Sequence, residues 1–433
     1  MERIKTIILG AAGRDYHNFL TYFKDNPNYE VVAFTTAQIL EKHREFPREL
    51  TGKLYKKDIP IHPESELPEL IKKFNVDYVF LAYSDLPERE FVEKASIVLS
   101  TGSNFALLGP KDTMLKSKKK LIAVCATRTG AGKGTVCRKI LDILKSKKPV
   151  LIRHPMAYGY LREQTVQRFV SYEDLKKYDT TYEEQEEYVP YLEKGFVVYS
   201  GIDYKKILQQ AEKESDMIVF ESGNNDISLF KPDLYITVAD PTRPEGIYSY
   251  PGEANLRLSD VIVINKVNIV NKAVTKNLES AIKKINNKAI IIKAKSIVKV
   301  DKPELVKNKS VVLIDDAPTI THGGLKESVS AFVARKYNAK IISPHKYAVG
   351  TIKKVLGEYP YLNSIPTIGY SKKQKEDFIK SVNNVKCNTI LFGSYAYLGY
   401  MRFNKPVARI TYDLEEITKS DLKTILSRFR RIN

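Results

Sequence analysis

No stretch of this 433-residue chain comes near the roughly 18 consecutive apolar residues that a membrane-spanning helix needs. Lys, Glu or Asp interrupts every long segment. The start, Met1 to Leu9, carries early charges and runs straight into a strand-like segment, without the apolar core and small-residue cleavage site of a signal peptide. Cysteine is scarce: Cys125, Cys137 and Cys387 are too few and too scattered for a disulfide framework. These absences make a cytoplasmic location the expectation. A full dinucleotide fingerprint is missing as well. Gly10-Ala11-Ala12-Gly13 follows the first strand, but Thr35 and Thr36 stand where an acid would end the second, so NAD binding is not expected. Basic motifs interleaved with aromatics are also lacking. The net charge of +19 comes mostly from Lys spread along the chain, and therefore does not argue for nucleic acid. The one dense run, Lys116-Ser117-Lys118-Lys119-Lys120, reads as a solvated linker.

What is present is the balance of a folded protein, 43% hydrophobic and 28% charged. At roughly 150 residues per domain the length suits two or three domains. Strand-like segments at Thr6-Leu9, Glu30-Phe34, Asp77-Tyr83 and Asn104-Leu108 alternate with helical spacing at Tyr16–Phe23, Leu67–Phe74 and Val92–Leu99. Such alternation predicts a doubly wound parallel sheet. A second series begins at Leu121-Ala126. It continues through Val150-Ile152, Met217-Phe220, Leu234-Val238, Val261-Ile264, Ala289-Ile292 and Val311-Ile314 to Thr389-Phe392 and Val407-Ile410. The expected fold is α/β throughout: a Rossmann-like parallel-sheet domain over 1–117, a P-loop NTPase α/β domain over 118–300, and a C-terminal α/β part over 301–433 that either continues the second sheet or stands apart. The polar, Tyr- and Glu-rich stretch from Tyr158 to Tyr191 reads as an insertion over the second sheet.

Chemistry concentrates where the second series begins. Arg128-Thr129-Gly130-Ala131-Gly132-Lys133-Gly134-Thr135 follows an apolar strand and opens a helix with Val136, Ile140, Leu141 and Leu144 on one face. Glycines let backbone N–H groups converge on phosphate oxygens, and the helix N-terminus adds positive potential. Lys133 would reach the terminal phosphates, with Arg128 as a second phosphate contact. The pattern departs from the general P-loop at Thr127, where a glycine is usual, and at Gly134, where the Mg²⁺-binding Ser or Thr belongs; Thr135 comes one step later. Glu221, at the end of Met217-Phe220, is the acid that would hold Mg²⁺ with Thr135, and Asp226 offers a second carboxylate. Ile264-Asn265-Lys266-Val267-Asn268 is similar to the base-recognition motif of GTPases, but Asn268 replaces its aspartate, so Asn265 and Lys266 are read as nucleotide contacts without a choice of base.

Arg153 and His154 follow the second strand of this series, at an end where such sheets bind ligands, and are read as substrate contacts together with Asn225, Asp226, Arg14 and His322. Arg162 and Arg168 read more simply as surface ion pairs. The implied cofactors are ATP or GTP with Mg²⁺. The expected partner is a small phosphorylated or carboxylate substrate, not nucleic acid or a membrane; self-association into a homo-oligomer is left open.

The stretches GAAGRDYHNF (10–19), TRTGAGK (127–133), RHPMAY (153–158), SGNND (222–226), YPGEAN (250–255) and THGG (321–324) together resemble the family of cyclic 2,3-diphosphoglycerate synthetase-like P-loop proteins, over nearly the whole chain. The resemblance implies an N-terminal Rossmann-like domain and a P-loop domain related to dethiobiotin and CTP synthetases, a group that tolerates Gly after the P-loop lysine. It also implies ATP-driven closure of a phosphoanhydride in 2,3-diphosphoglycerate. The rival reading from the residues is a regulatory or metallochaperone-type GTPase that acts with a protein partner.

Overall fold

The computed structural model describes residues 2–37, 45–155, 157, 159–316 and 328–430. The chain forms two compact units. Met1–Arg168, Phe196–Lys295 and Glu416–Asn433 make the first, and Phe169–Gly195 with Ser296–Glu415 make the second. Among the described residues no helix is long and apolar enough to cross a membrane.

The first unit carries two large sheets, and Leu115–Lys116 pairs in parallel with Phe230–Lys231 as a small third. One is ordered Glu45–Phe46, Ile59–Pro63, Tyr29–Thr36, Ile4–Leu9, Tyr78–Leu81, Asn104–Ala106, with only the short first strand antiparallel. Its inward side chains meet an aromatic core of Tyr16, Phe19, Phe23, Phe34 and Phe46, joined by Ala157, Leu161 and Ile202 from beyond the lysine run. The two sheets thus share buried apolar surface, the main favourable term in holding them together. The lysine run itself is tied down: Lys119 pairs with Asp216, and Lys120 with Asp233 at 2.7 Å.

The other sheet runs Val197–Ser200, Val150–Arg153, Met217–Glu221, Lys120–Ala126, Leu234–Ala239, Val261–Ile264 and then the first residues of Ile290–Val300, all parallel. Strands buried on both faces read as continuous apolar runs, and Leu121 through Ala126 are fully buried. The helix Lys133–Ile143 lies on this sheet through Val136, Cys137, Ile140 and Leu141, the face its 3.6-residue spacing predicts. The helix Leu422–Arg430, with Leu422, Leu426 and Phe429 buried, packs against it.

The second unit is built on Ser310–Asp315, which pairs in parallel with Lys340–Ile341, Ser364–Pro366 and Thr389–Gly393; the last also pairs with Val407–Glu416. Val312, Ile314, Ile352, Phe378, Val382, Ile390 and Phe392 form its core. Here the structure corrects one expectation. From Phe169 the Tyr- and Glu-rich stretch, expected as part of the P-loop domain, belongs to the second unit, and Tyr182 enters that core edge-on to Phe378, ring centroids 5.5 Å apart. Tyr182, Tyr188 and Tyr191 are buried, so a composition that looks polar supplies large apolar faces.

Candidate functional site

The loop between Lys120–Ala126 and Lys133–Ile143 is strand, glycine turn and helix in immediate succession. Gly130 and Gly132 adopt φ of +77° and +106°, the left-handed region where a side chain is disfavoured. A Cβ on Gly132 would also collide with the Asn265 amide. Lys133 is largely buried and donates to the Asn224 carbonyl. A lysine held by a carbonyl at the mouth of a glycine turn has a place to stay until phosphate oxygens offer a stronger partner.

Asn265 and Lys266 brace this loop from the neighbouring strand end. Asn265 Nδ2 donates to the Ala131 carbonyl at 2.9 Å, and Lys266 Nζ donates to the Gly130 carbonyl and Asp240 Oδ2, both at 2.6 Å. Asn268 is exposed. Asp240 and Arg243 are residues that the sequence reading missed. Arg243 donates to the Thr129 carbonyl at 2.7 Å and faces Asp240 at 3.8 Å; burial and then the neighbouring charge of Arg128 lower its pKa. Their signal was an acid directly after the apolar strand Leu234–Ala239, beside the P-loop strand. Arg128 pairs with the exposed Glu245 at 2.8 Å. Surface pairs of this kind contribute about 0–1 kcal/mol, so the guanidinium can be drawn to a stronger anion at little cost.

At the end of Met217–Glu221, Glu221 is 2% exposed and faces Arg153 across 3.6 Å. Arg153 also donates to the Ser222 carbonyl at 2.7 Å. Cys137, on the first turns of the P-loop helix, lies close enough to Glu221, Arg153 and Lys133 for all three charges to act on its thiol, which burial pushes up. Lys133 is anchored at Asn224, three residues beyond Glu221, which pairs in register with Arg153, so the three charged groups belong to the same strand ends. Thr135 Oγ1 accepts from Arg138 at 3.2 Å and keeps its own proton to donate. A buried carboxylate at the strand end and a hydroxyl on the first helical turn are oxygen donors suited to Mg²⁺, which takes few protein ligands when phosphates supply the rest.

The amino-terminal sheet reaches the same place. Asp85, also missed in the sequence, accepts from the Thr129 amide at 3.2 Å, and its own amide donates to Asn225 Oδ1 at 2.7 Å. Asn225 Nδ2 donates to the Thr127 carbonyl at 2.8 Å, so this side chain ties the two sheets together through backbone. Arg14 donates to the Ile227 carbonyl at 2.6 Å. The His154 ring fills a slot between Gly13 and Gly223, where a Cβ on either glycine would strike it, and its Nδ1 stands 3.8 Å from Asp226 Oδ2. Of the remaining arginines, Arg162 pairs with Glu49 at 2.9 Å and Arg168 with Glu214, the surface pairing expected for both. His322 lies outside the described residues.

Asp15 takes three backbone N–H groups of the glycine turn on one oxygen, from Ala12, Gly13 and Tyr16 at 2.8–2.9 Å. Burial nevertheless raises its pKa to about 6, outweighing those bonds. A carboxyl raised in the folded state favours folding most when protonated, so its contribution is fullest below the unfolded value of 3.8 and is lost as pH rises through 6. The difference amounts to about 3 kcal/mol. Asp15→Asn is expected to flatten the fall in stability between pH 4 and 7 relative to the parent. Urea midpoints across that range check this, and parallel curves for the two proteins would contradict it.

No family model matches the chain. The arginine synthetase ArcE of Thermococcus kodakarensis is 47% identical over 437 residues, covering 99% of this chain and 98% of that one. The cyclic 2,3-diphosphoglycerate synthetase of Thermococcus sibiricus is 31% identical over 151 residues, 34% of this chain and 33% of that one. Among solved structures, LpxK from Aquifex aeolicus in complex with ATP aligns over 84% of this chain and 99% of that one, at 13% identity and a TM-score of 0.42, a likeness too slight to bear on the site.

Proposed function

Because this chain belongs to the family of the arginine synthetase ArcE, we propose that it is a nucleotide-driven synthetase with arginine as its product. The observation that carries this reading is the placement of Lys133, Glu221 and Arg153 at the same strand ends beside a strand–glycine turn–helix phosphate loop. Making a guanidinium from a ureido group replaces a carbon–oxygen bond by carbon–nitrogen, and phosphorylation turns that oxygen into a good leaving group. A P-loop site supplies that phosphoryl group. Loop amides from Gly130 to Thr135 and Lys133 hold the terminal phosphates, and Arg128 swings from Glu245 to the transferring group. Glu221 and Thr135 would hold Mg²⁺, which neutralises phosphate charge when bound. Arg153, His154, Asp226 and Arg14 line the substrate side, at the carboxyl ends of the strands where doubly wound sheets bind ligands. Catalysis of this kind rests on positioning and preorganised charge.

Cyclisation of 2,3-diphosphoglycerate is the competing substrate assignment, supported by a match over about a third of the chain. The two are separable without knowing the precursor. Run in reverse, an arginine-forming enzyme incorporates labelled phosphate into nucleoside triphosphate from the diphosphate only when arginine is present. Incorporation independent of arginine, or dependent on the cyclic diphosphoglycerate instead, would overturn the proposal. Adenosine and guanosine diphosphates compared in this assay read the base. Asn268 offers one acceptor oxygen and one NH₂ where guanine needs two donors received, so adenine is expected to serve at least as well.

A further inference from the structure

Asp240 takes no part in the chemistry described above, yet it holds the outer side of the phosphate loop together. It directly follows the strand Leu234–Ala239, and its side chain is fully buried. Both of its oxygens accept. Oδ1 receives the Thr242 amide at 2.9 Å and the Thr242 hydroxyl at 2.6 Å. Oδ2 receives Lys266 Nζ at 2.6 Å and lies 3.8 Å from Arg243 Nη2. Both cations continue to the loop, Lys266 to the Gly130 carbonyl and Arg243 to the Thr129 carbonyl. Asn265 takes the next carbonyl, that of Ala131. Three successive loop carbonyls are thus held by side chains, and two of the three holders share one counter-ion.

A trans peptide is planar, with its C=O and N–H on opposite sides. Holding the carbonyls of Thr129, Gly130 and Ala131 therefore sets the directions of the Gly130, Ala131 and Gly132 amides, each pointing away from the donor that holds its plane. Gly130 and Gly132 take positive φ on either side of Ala131. Successive N–H groups in a turn of this kind gather into an anion-binding concavity. Lysine and arginine side chains have many rotamers, and a buried carboxylate that both must meet removes that freedom.

We propose that Asp240 is a positioning residue for phosphate: it fixes Lys266 and Arg243, and through them the peptide planes that aim the Gly130 and Ala131 amides before a nucleotide arrives. The proposal rests on the phosphate-loop part of the synthetase reading and not on which substrate is phosphorylated. The sign of its effect is diagnostic. A carboxylate near an anion site repels the anion, so by charge alone its removal tightens phosphate binding. Positioning demands the reverse.

Asp240→Asn in the full chain separates the two. Dissociation constants of the adenosine tri- and monophosphates, or of the guanosine pair if the parent binds it more tightly, are measured for parent and variant beside the thermal midpoint. The triphosphate constant is expected to rise roughly tenfold or more, the usual contribution of a hydrogen bond to a charged group, while the monophosphate constant changes much less. A triphosphate constant that stays the same or falls overturns the proposal. Equal losses for both nucleotides also overturn it, since they would make Asp240 a general support of the fold. Thr242→Val serves where the first variant does not fold. It keeps Asp240, Lys266 and Arg243 and removes the hydroxyl bond to Oδ1, and is expected to weaken the triphosphate selectively by a smaller factor. Absence of that selective loss overturns the proposal independently. A parent that binds the triphosphate no more tightly than the monophosphate refutes the phosphate-loop reading together with the proposal. A parent that prefers the triphosphate, beside an Asp240→Asn variant that keeps the preference, refutes positioning alone.

Discussion

Lys133→Ala is expected to reduce nucleotide turnover by roughly 10²- to 10³-fold or more, the loss that follows removal of one preorganised donor to a transition-state oxyanion. The lysine sits on the phosphate loop and donates to the Asn224 carbonyl, a neutral acceptor. Exchanging that carbonyl for a phosphate oxygen replaces a bond to a neutral acceptor by one between opposite charges. Truncation leaves the apolar face of the helix, Val136, Cys137, Ile140 and Leu141, in place. The thermal midpoint should therefore hold while kcat collapses. Turnover within a few-fold of the parent would remove the P-loop assignment, and with it the whole phosphoryl-transfer reading.

The second large effect is expected at Glu221. Glu221→Gln keeps the shape and an acceptor oxygen but loses the charge, and should lower kcat by roughly 10²-fold or more while changing nucleotide affinity much less. Its geometry makes two roles compete. The carboxylate is buried beside Arg153, and breaking a buried pair can itself cost about 3–5 kcal/mol. Arg153 keeps its bond to the Ser222 carbonyl, which moderates that cost. Measuring the thermal midpoint beside kcat and the nucleotide Kd separates the roles. A lowered midpoint with unchanged turnover would make Glu221 a structural counter-ion of Arg153. Equal losses in affinity and kcat would place it in ground-state binding.

Much of this architecture was legible before any coordinates, because its signals are local. Leu121-Ala126, the glycines and Lys133 sit within a dozen residues and determine strand, turn and helix from periodicity and φ requirements alone. The same holds for the helix Leu67–Phe74, predicted with the bounds observed. What escaped notice depends on partners far along the chain. Asp85 matters because its carboxylate meets Thr129, and Arg243 because its guanidinium meets the same residue's carbonyl. Neither sits in a motif. The Tyr158–Tyr191 stretch was misread for a related reason. Tyrosine and glutamate look solvated in a one-dimensional pattern, yet in the second unit Glu183 is buried and Glu186 half-buried, accepting from the hydroxyls of Tyr370, Thr367 and Ser394. Burial drives the Glu183 pKa up to about 7. Composition alone cannot anticipate satisfaction of that kind.

The helix Leu422–Arg430 packs on the phosphate-loop helix, although nearly 300 residues separate Lys133 from Leu422 in the sequence. On a ribosome this ordering becomes a schedule. The loop, its lysine and the acid strand all emerge early, and the whole of Ser296–Glu415 is made before the segment that covers the outer face of their helix. Leu422, Leu426 and Phe429 are the side chains that cover it. Until they arrive, the nascent first unit exposes an apolar stripe in the crowded cell, a surface that invites chaperones and association between chains. Competence to handle a nucleotide is thereby tied to translation through Phe429, so a chain terminated before it would carry the phosphate-loop sequence without the packing that supports it.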